Sequence, residues 1–188
     1  MNIFRVDNDP TVAAQMLCDK HIVKMTLETA QMLCSVWHRY NFGHLVTYKE
    51  AYKNHPCTRW AGDSKENYRW LVKHGMELCR EYTKRYGKIH KCQSLLVFFN
   101  HTRPVFILDD KATPQPQCMP DEYKVDNDVV LAYRNYYVGA KSKIARWNKN
   151  RFMPLWFFKK RRIENARHRW STDRKRTRLN YSHGYISY

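Results

Sequence analysis

Five polar residues near the start of the chain follow one another at helical spacing. They are His21, Lys24, Glu28, Gln31 and Ser35. Steps of three and four residues place them on one face of a helix over nearly four turns. One interpretation is a solvated face with a Lys24–Glu28 ion pair. The other is that Glu28 and His21 line a cleft across which a basic surface holds a nucleic-acid backbone.

A second cluster, basic and aromatic, occupies the C-terminal third of the chain. Lys and Arg neutralise phosphates, and Tyr and Trp rings can stack on an exposed base or wedge into a groove. With residues of the first cluster added, the candidate nucleic-acid-binding residues are Lys20, Lys24, Gln31, Tyr133, Arg134, Tyr136, Tyr137, Lys141, Lys143, Arg146, Trp147 and Lys149. The alternative is that these aromatic residues only pack their helix onto the core while its lysines are solvated.

The composition favours a polyanionic partner. The 188 residues include 34 Lys and Arg against 17 Asp and Glu, which gives a net charge of +17, and 43% are hydrophobic. So many core-forming side chains exclude a disordered basic tail, and so large a charge is unusual for a soluble enzyme of small molecules. The length predicts one domain with its own core.

Neither membrane insertion nor secretion is predicted. The longest apolar run, Leu95–Phe99, has five residues, whereas a span needs roughly 18. Charged residues within the first ten positions argue against a signal peptide. We therefore expect a cytoplasmic monomer, in a bacterium or a phage-infected host cell.

Six cysteines are spread along the chain without a Cys-x-x-Cys pair: Cys18, Cys34, Cys57, Cys79, Cys92 and Cys118. Reduced thiols are the expectation in a chain of this size without a secretory signal. Cysteines close to His21, His55 and His90 could each contribute to a zinc site, but none has the paired spacing of structural zinc modules. The sequence therefore predicts no metal.

The first half of the chain predicts two long helices. Asp9 and the proline after it are a helix start, and apolar residues at helical spacing extend this helix over residues 10–38. A second helix is predicted over 63–87, begun by a capping box of Asp63 and Glu66 and ended by a glycine. The polar face described above lies on the first of them.

The second half predicts shorter elements. Residues 90–99 could form a helix or a buried strand, and the proline-containing segment 100–125 is expected to be irregular. Another helix is predicted from Asp126 or Asp128 toward Trp147. The predicted fold is mainly α, a single compact helical bundle with irregular Pro-containing connections, over residues 1–172.

The segment 173–188 looks foreign to the rest. It resembles the translated read-through of a common short-read sequencing adapter, and such segments are excluded from fold reasoning. The alternative is a genuine basic arm that binds nucleic acid. Removing its net charge of +3 from +17 leaves +14, so the basic character does not depend on it.

Three segments carry a family resemblance. In Leu17–Glu28, a Leu-x-Asp-x-His run is followed seven residues later by a glutamate; His55-Pro56 leads into a long predicted helix; and tyrosines cluster in Tyr133–Lys141. Together they resemble the phage-type endonuclease V family, the pyrimidine dimer DNA glycosylases, over about residues 1–147. The resemblance implies a mainly α enzyme that acts on double-stranded DNA without cofactor or metal.

The resemblance also implies a mechanism. The α-amino group of the chain attacks the sugar C1′ of the damaged nucleotide, forms an imine and nicks the strand by β-elimination. A terminal amine has a pKa of about 8 against about 10.4 for Lys, so a usable fraction is nucleophilic near pH 7. Glu28 would stabilise positive charge on the sugar and assist proton removal from C2′, and His21 would position the backbone or the carboxylate by hydrogen bonding.

Two features depart from the family pattern. The family begins its mature chain with Thr followed by Arg, whereas this chain begins Met1-Asn2. Because Asn disfavours removal of the methionine, the free amine is expected on Met1, with Asn2 as the other candidate. The arginines that flank the family's glutamate correspond to Leu27 and Gln31. Candidates for the missing positive charge are Lys20, Lys24 and Arg39.

Three functions are consistent with these features. The first is a DNA repair glycosylase with abasic-site lyase activity on pyrimidine dimers. The second is a noncatalytic phage or viral nucleic-acid-binding protein, in which Glu28 only pairs with Lys24. The third is a glycosylase of the same scaffold that acts on another modified pyrimidine.

Overall fold

The first 153 residues build a bundle around two long helices. A computed structural model describes residues 1–102, 105 and 107–163. The helices are α1 (Pro10–Met16), α2 (Asp19–Arg39), α3 (Pro56–Asp63), α4 (Lys65–Tyr86), α5 (Gln93–His101) and α6 (Val129–Gly139), with short 3-10 turns at Gly43–Leu45 and Asp121–Tyr123. Across the described residues there is no strand, which confirms the predicted mainly α bundle.

The chain divides into two compact units, residues 1–153 and 154–188. In the second unit, residues 155–163 are helical. The predicted domain end at 172 and the predicted foreign segment 173–188 lie outside the described residues. Among the helices of the described part, none combines the length and apolar character that a bilayer crossing requires.

The core of the first unit forms where α4 packs against α2 and α5. The indole N–H of Trp37 donates to the hydroxyl of buried Tyr68 across 2.9 Å, so both polar atoms are paired in the interior. The helices approach closely at Gly75, where a Cβ atom would lie 2.8 Å from Thr29 Cγ2 and 2.9 Å from Leu96 Cδ2. A larger residue there would push α4 away from its two neighbours.

The predicted continuous helix over 10–38 is wrong at one point, because the chain breaks between α1 and α2. Leu17 and Cys18 are extended, with ψ of 147° and 161°. The Cys18 N–H donates to the hydroxyl of Tyr137 across 2.9 Å, and the Leu17 carbonyl accepts from Arg85 across 2.8 Å. These partners are 119 and 68 residues away in sequence, so no local pattern reveals the break.

The predicted helix over 63–87 is confirmed along most of its length but starts differently. Its N-cap is Ser64, whose hydroxyl accepts from the Asn67 N–H. The predicted capping box is therefore wrong, since Asp63 ends α3 and pairs with Arg39 at 2.8 Å. The predicted C-terminus is confirmed by Gly87, which adopts the left-handed conformation with φ of 66°.

The later elements are close to those predicted. Residues 93–101 form a helix rather than a strand, and Asp128 caps α6 by accepting from the Leu131 N–H. α6 ends at Gly139 instead of continuing toward residue 147. The backbone beyond it bonds to Asp19 of α2, whose N–H donates to the Arg146 carbonyl and whose carboxylate accepts from the Asn148 N–H.

A buried arginine holds the break between α1 and α2. The Arg85 side chain is 0% exposed. Its Nη atoms donate to the carbonyl groups of Gln15 and Leu17 and to Asp19 Oδ1, and its Nε donates to Glu81 Oε2. The start of α2 is thus fixed by a charged side chain from the far end of α4.

Replacing Arg85 with Met is expected to lower the free energy of unfolding by about 3–5 kcal/mol, because buried carboxylates and carbonyls lose their partner. Urea denaturation measures this loss. Arg80→Met is the matched control on the same helix, since its side chain is 70% exposed and its acidic partner is Glu77; we expect a loss of less than about 1 kcal/mol there. Equal losses in the two variants would contradict the role given to Arg85.

Candidate active site

The beginning of the chain runs through the protein interior. Ile3, Phe4 and Val6 are at most 4% exposed. The Ile3 carbonyl accepts from the Gln115 side chain and the Val6 carbonyl accepts from Arg134 Nε, each across 2.8 Å. Apolar burial and these hydrogen bonds together fix the first residues in one position.

The nitrogen of residue 2 contacts the carboxylate of Glu28. The peptide N–H of Asn2 donates to Glu28 Oε2 across 3.1 Å. The other oxygen, Oε1, lies 3.3 Å from Lys24 Nζ. Glu28 is 8% exposed, whereas the side chain of Lys24 is 69% exposed. The ion pair considered from the sequence is therefore present, and the same carboxylate also faces the start of the chain.

The side chain of Asn2 is held on three sides. Its Nδ2 donates to the Cys118 carbonyl across 2.8 Å. Its Oδ1 accepts from the hydroxyl of Tyr133 across 2.7 Å and from the Ile3 N–H across 2.9 Å. This arrangement fixes the residue that presents its nitrogen to the carboxylate.

His21 lies nearly two helical turns before Glu28 on α2, in the interior. Its Nδ1 is 2.7 Å from the hydroxyl of Tyr137, and its ring stacks on Phe4 with centroids 4.4 Å apart. Burial, with smaller effects from Lys141 and Lys24, lowers the pKa of His21 to about 4. The imidazole is therefore neutral near pH 7.

This burial makes stability depend on pH. Because the pKa of His21 is near 4 when folded and about 6.5 when unfolded, its contribution is full above pH 6.5 and is lost as the pH falls toward 4. We expect the stability advantage of the wild type over His21→Gln to shrink by about 1–2 kcal/mol between pH 7 and pH 5. Urea denaturation at the two pH values measures this change. Burial also lowers the pKa of His74 to about 3, but its effect on stability cancels in the comparison because both proteins contain His74. Equal losses of stability in the two proteins between pH 7 and pH 5 would contradict the lowered pKa of His21.

These residues border a cleft of about 320 Å³. Three lysines line it, and the acidic residue among its lining residues is Glu28. The residues that line it are Met1, Asn2, Phe4, Lys20, His21, Lys24, Met25, Glu28, Tyr136, Lys141 and Ile144. All four candidate catalytic residues therefore meet in one cleft, together with four of the candidate DNA-binding residues.

The buried aromatic candidates do not face solvent. Tyr133 and Tyr137 are 0% exposed and Trp147 is 7% exposed, so in this conformation their rings are not available to stack on a DNA base. Their polar atoms hold backbone and side chains instead, as for Trp147 Nε1, which donates to the Met16 carbonyl. Tyr136 differs, since it is half-buried and Lys141 Nζ lies 4.6 Å above its ring.

The remaining candidates lie at or near the surface. Gln31 is half-buried, and Arg134 is half-buried with its guanidinium 3.3 Å from Asp7. The exposed members of the set, besides Lys20 and Lys24, are Lys143, Arg146 and Lys149. Because these cationic side chains are exposed, they can approach a phosphate backbone.

A cluster of His55, Cys57 and Cys118 adjoins Asn2. The sequence offered His55 and Cys57 as possible zinc ligands, but spacing did not join them to Cys118. His55 and Cys57 lie at the start of α3, and Cys118 lies in the irregular connection before α6. The Cys57 thiol donates to Cys118 Sγ across 3.5 Å. This hydrogen bond lowers the pKa of Cys118 to about 7.

Comparison with known proteins identifies the family. A family model for the pyrimidine dimer DNA glycosylases matches residues 1–94, which include Asn2, His21 and Glu28. No curated protein and no solved structure is similar enough to count as a match. Because the match covers half of the chain, the chain belongs to the pyrimidine dimer DNA glycosylase family.

Proposed function

We propose that this glycosylase also cleaves the DNA strand at the abasic site, with an N-terminal amine as nucleophile and Glu28 as its acidic partner. The observation that supports this most directly is the 3.1 Å contact between the nitrogen of residue 2 and Glu28 Oε2. Two groups that act on one sugar carbon must lie within hydrogen-bond reach of it. A cleft with lysines beside that contact suits a phosphodiester backbone.

The proposed reaction has four steps. The amine nitrogen bonds to C1′ as the glycosidic bond breaks, and the base leaves with the bonding electrons. Opening of the sugar ring at its C1′–O bond gives an iminium ion. Removal of a proton from C2′ then expels the 3′ phosphate by breaking the C3′–O bond, which nicks the strand. Water finally hydrolyses the imine and restores the amine.

Glu28 serves two of these steps. Its carboxylate is nearly buried, so its negative charge acts on the cationic sugar through little intervening water. The same oxygen that contacts the nitrogen of residue 2 can then assist removal of the proton from C2′. His21 does not carry charge near pH 7, and we assign it a positioning role through its contacts with Phe4 and Tyr137.

The register of the nitrogen points to the form of the chain that reacts. In a chain that retains Met1, the nitrogen facing Glu28 belongs to a peptide bond, whose lone pair is delocalised and not nucleophilic. Removal of Met1 turns the same atom into a primary amine. We therefore place the nucleophile on Asn2 rather than on Met1, one residue from the position expected from the sequence.

We expect DNA to enter along the lysines of the cleft. Lys20, Lys24 and Lys141 border it, and Lys143 follows on the surface. Phosphate contacts of this kind hold a duplex without reading its sequence. Access to C1′ requires the duplex to kink or a base to be extruded, which costs least at a lesion whose pairing is already weakened. The half-buried ring of Tyr136 also lines the cleft.

Borohydride trapping tests the proposed function. Reduction of the imine would leave a covalent adduct between the protein and a duplex that contains either a pyrimidine dimer or an abasic site. With a chain that begins at Asn2, we expect an adduct with both substrates and none with undamaged duplex. Binding to damaged DNA without any adduct would overturn the lyase proposal and favour the noncatalytic alternative. An adduct with abasic DNA alone would direct the search to other modified pyrimidines.

A further inference from the structure

Three side chains with metal-binding atoms converge beside Asn2. They are His55, Cys57 and Cys118, and one ligand atom from each lies within 4.8 Å of the others. Cys57 and Cys118 are 61 residues apart in sequence. The fold therefore assembles this cluster from two separate segments, which spacing within either segment could not predict.

The separation of the two sulfur atoms is close to that in a tetrahedral metal site. With metal–sulfur bonds of about 2.3 Å, two sulfur ligands of a tetrahedral zinc ion lie about 3.8 Å apart. The two Sγ atoms are 3.5 Å apart, which is close to that separation and far from the roughly 2.05 Å of a disulfide. Two thiolates and an imidazole are ligands that select zinc over magnesium or calcium.

We propose that His55, Cys57 and Cys118 bind one zinc ion, with a fourth position open to water. The two thiols release their protons to solvent on binding, and the imidazole binds as the neutral base. At present His55 Nδ1 accepts from the Cys57 N–H across 3.2 Å. Coordination uses the imidazole lone pair, so this helix-capping contact is exchanged for the metal bond.

The ion would fasten the two segments that frame Asn2. The Cys118 carbonyl accepts from Asn2 Nδ2, and Cys57 Sγ lies 3.8 Å from Asn2 Oδ1. Because both cysteines bind the same ion, the start of α3 and the connection before α6 are held at a fixed separation. A zinc ion at this site therefore helps to fix the position of the N-terminus. Zinc binding itself does not depend on the proposed lyase chemistry.

Cobalt titration of the full chain tests this site. The protein is first reduced and stripped of metal with a chelator, and Co²⁺ is then added under nitrogen. We expect one equivalent to bind, with a thiolate-to-cobalt charge-transfer band and the intense visible bands of tetrahedral cobalt, and Zn²⁺ to displace it. Cys57→Ser and Cys118→Ser should each weaken binding by at least about 100-fold.

Two controls separate this site from other thiols and from misfolding. Cys79→Ser changes a buried cysteine outside the cluster and should bind cobalt like the wild type. Circular dichroism identifies any serine variant that does not fold. In that case His55→Ala, at a half-buried position, provides the test, because it should weaken cobalt binding and alter the visible bands. No charge-transfer band in the folded wild type, or equal binding by all variants, would overturn the proposal. A Cys57–Cys118 disulfide in freshly isolated protein would also overturn it, in favour of a redox role.

Discussion

Replacing Glu28 with Gln is expected to reduce strand scission at a pyrimidine dimer by at least about 10³-fold, while affinity for the damaged duplex stays the same or rises slightly. Gln can still accept a hydrogen bond from the nitrogen of residue 2. It brings no negative charge to the cationic sugar and no base for C2′, and such contributions are worth about 10²–10⁴-fold each. Single-turnover nicking and equilibrium binding of one labelled duplex measure the two quantities.

The matched control for this change is Glu77→Gln. Glu77 is also a nearly buried helical carboxylate with one basic partner, Arg80 at 3.0 Å, but it does not line the cleft. This variant should nick DNA at close to the wild-type rate. Glu28→Gln breaks an ion pair whose Lys24 side is largely exposed, so it should unfold at nearly the same urea concentration. Nicking by Glu28→Gln at the wild-type rate would show that Glu28 takes no part in the chemistry and only pairs with Lys24.

Features set within one helix could be predicted from the sequence. Asp9, Asp128 and Gly87 act through backbone groups at most a few residues away. As predicted, Asp9 and Asp128 cap the start of a helix and Gly87 caps the end of one. The polar face of α2 was likewise visible in its spacing. Spacing did not show which segment packs on that face, because Glu28 contacts Asn2, which is 26 residues away in sequence. The expectation that the N-terminus lies beside Glu28 came from the family resemblance.

The orientation of α6 shows why the aromatic residues were harder to assign. Tyr136 and Tyr137 are three and four residues after Tyr133, so helical spacing alone places both beside it. Spacing therefore does not say which of the three rings is buried. That depends on hydroxyl partners far along the chain, since Tyr133 binds Asn2 and Tyr137 binds the Cys18 N–H. The same dependence on distant segments hid the His55, Cys57 and Cys118 cluster.

A chain that begins at Asn2 is expected to form the imine with abasic DNA at least about 100-fold faster than a chain that retains Met1. Only the shorter form presents a primary amine at the position that lies 3.1 Å from Glu28 Oε2, and a displacement of the nucleophile by one residue costs about this much in rate. The two forms can be prepared by proteolytic removal of an N-terminal tag and verified by mass spectrometry. The rate of borohydride-trapped adduct formation compares them.

Acetylation of the Asn2 amine is the decisive control, because it removes the nucleophile and leaves Glu28 and the lysines in place. The acetylated protein should bind damaged duplex and form no adduct. Three lysines, Lys20, Lys24 and Lys141, line the same cleft and are the competing amines. Mapping the trapped peptide distinguishes them, since attachment at a lysine would transfer the nucleophile to α2 or to the segment after α6. Equal rates for the two forms would overturn the assignment to the Asn2 nitrogen, and a faster rate for the form that retains Met1 would place the nucleophile on Met1.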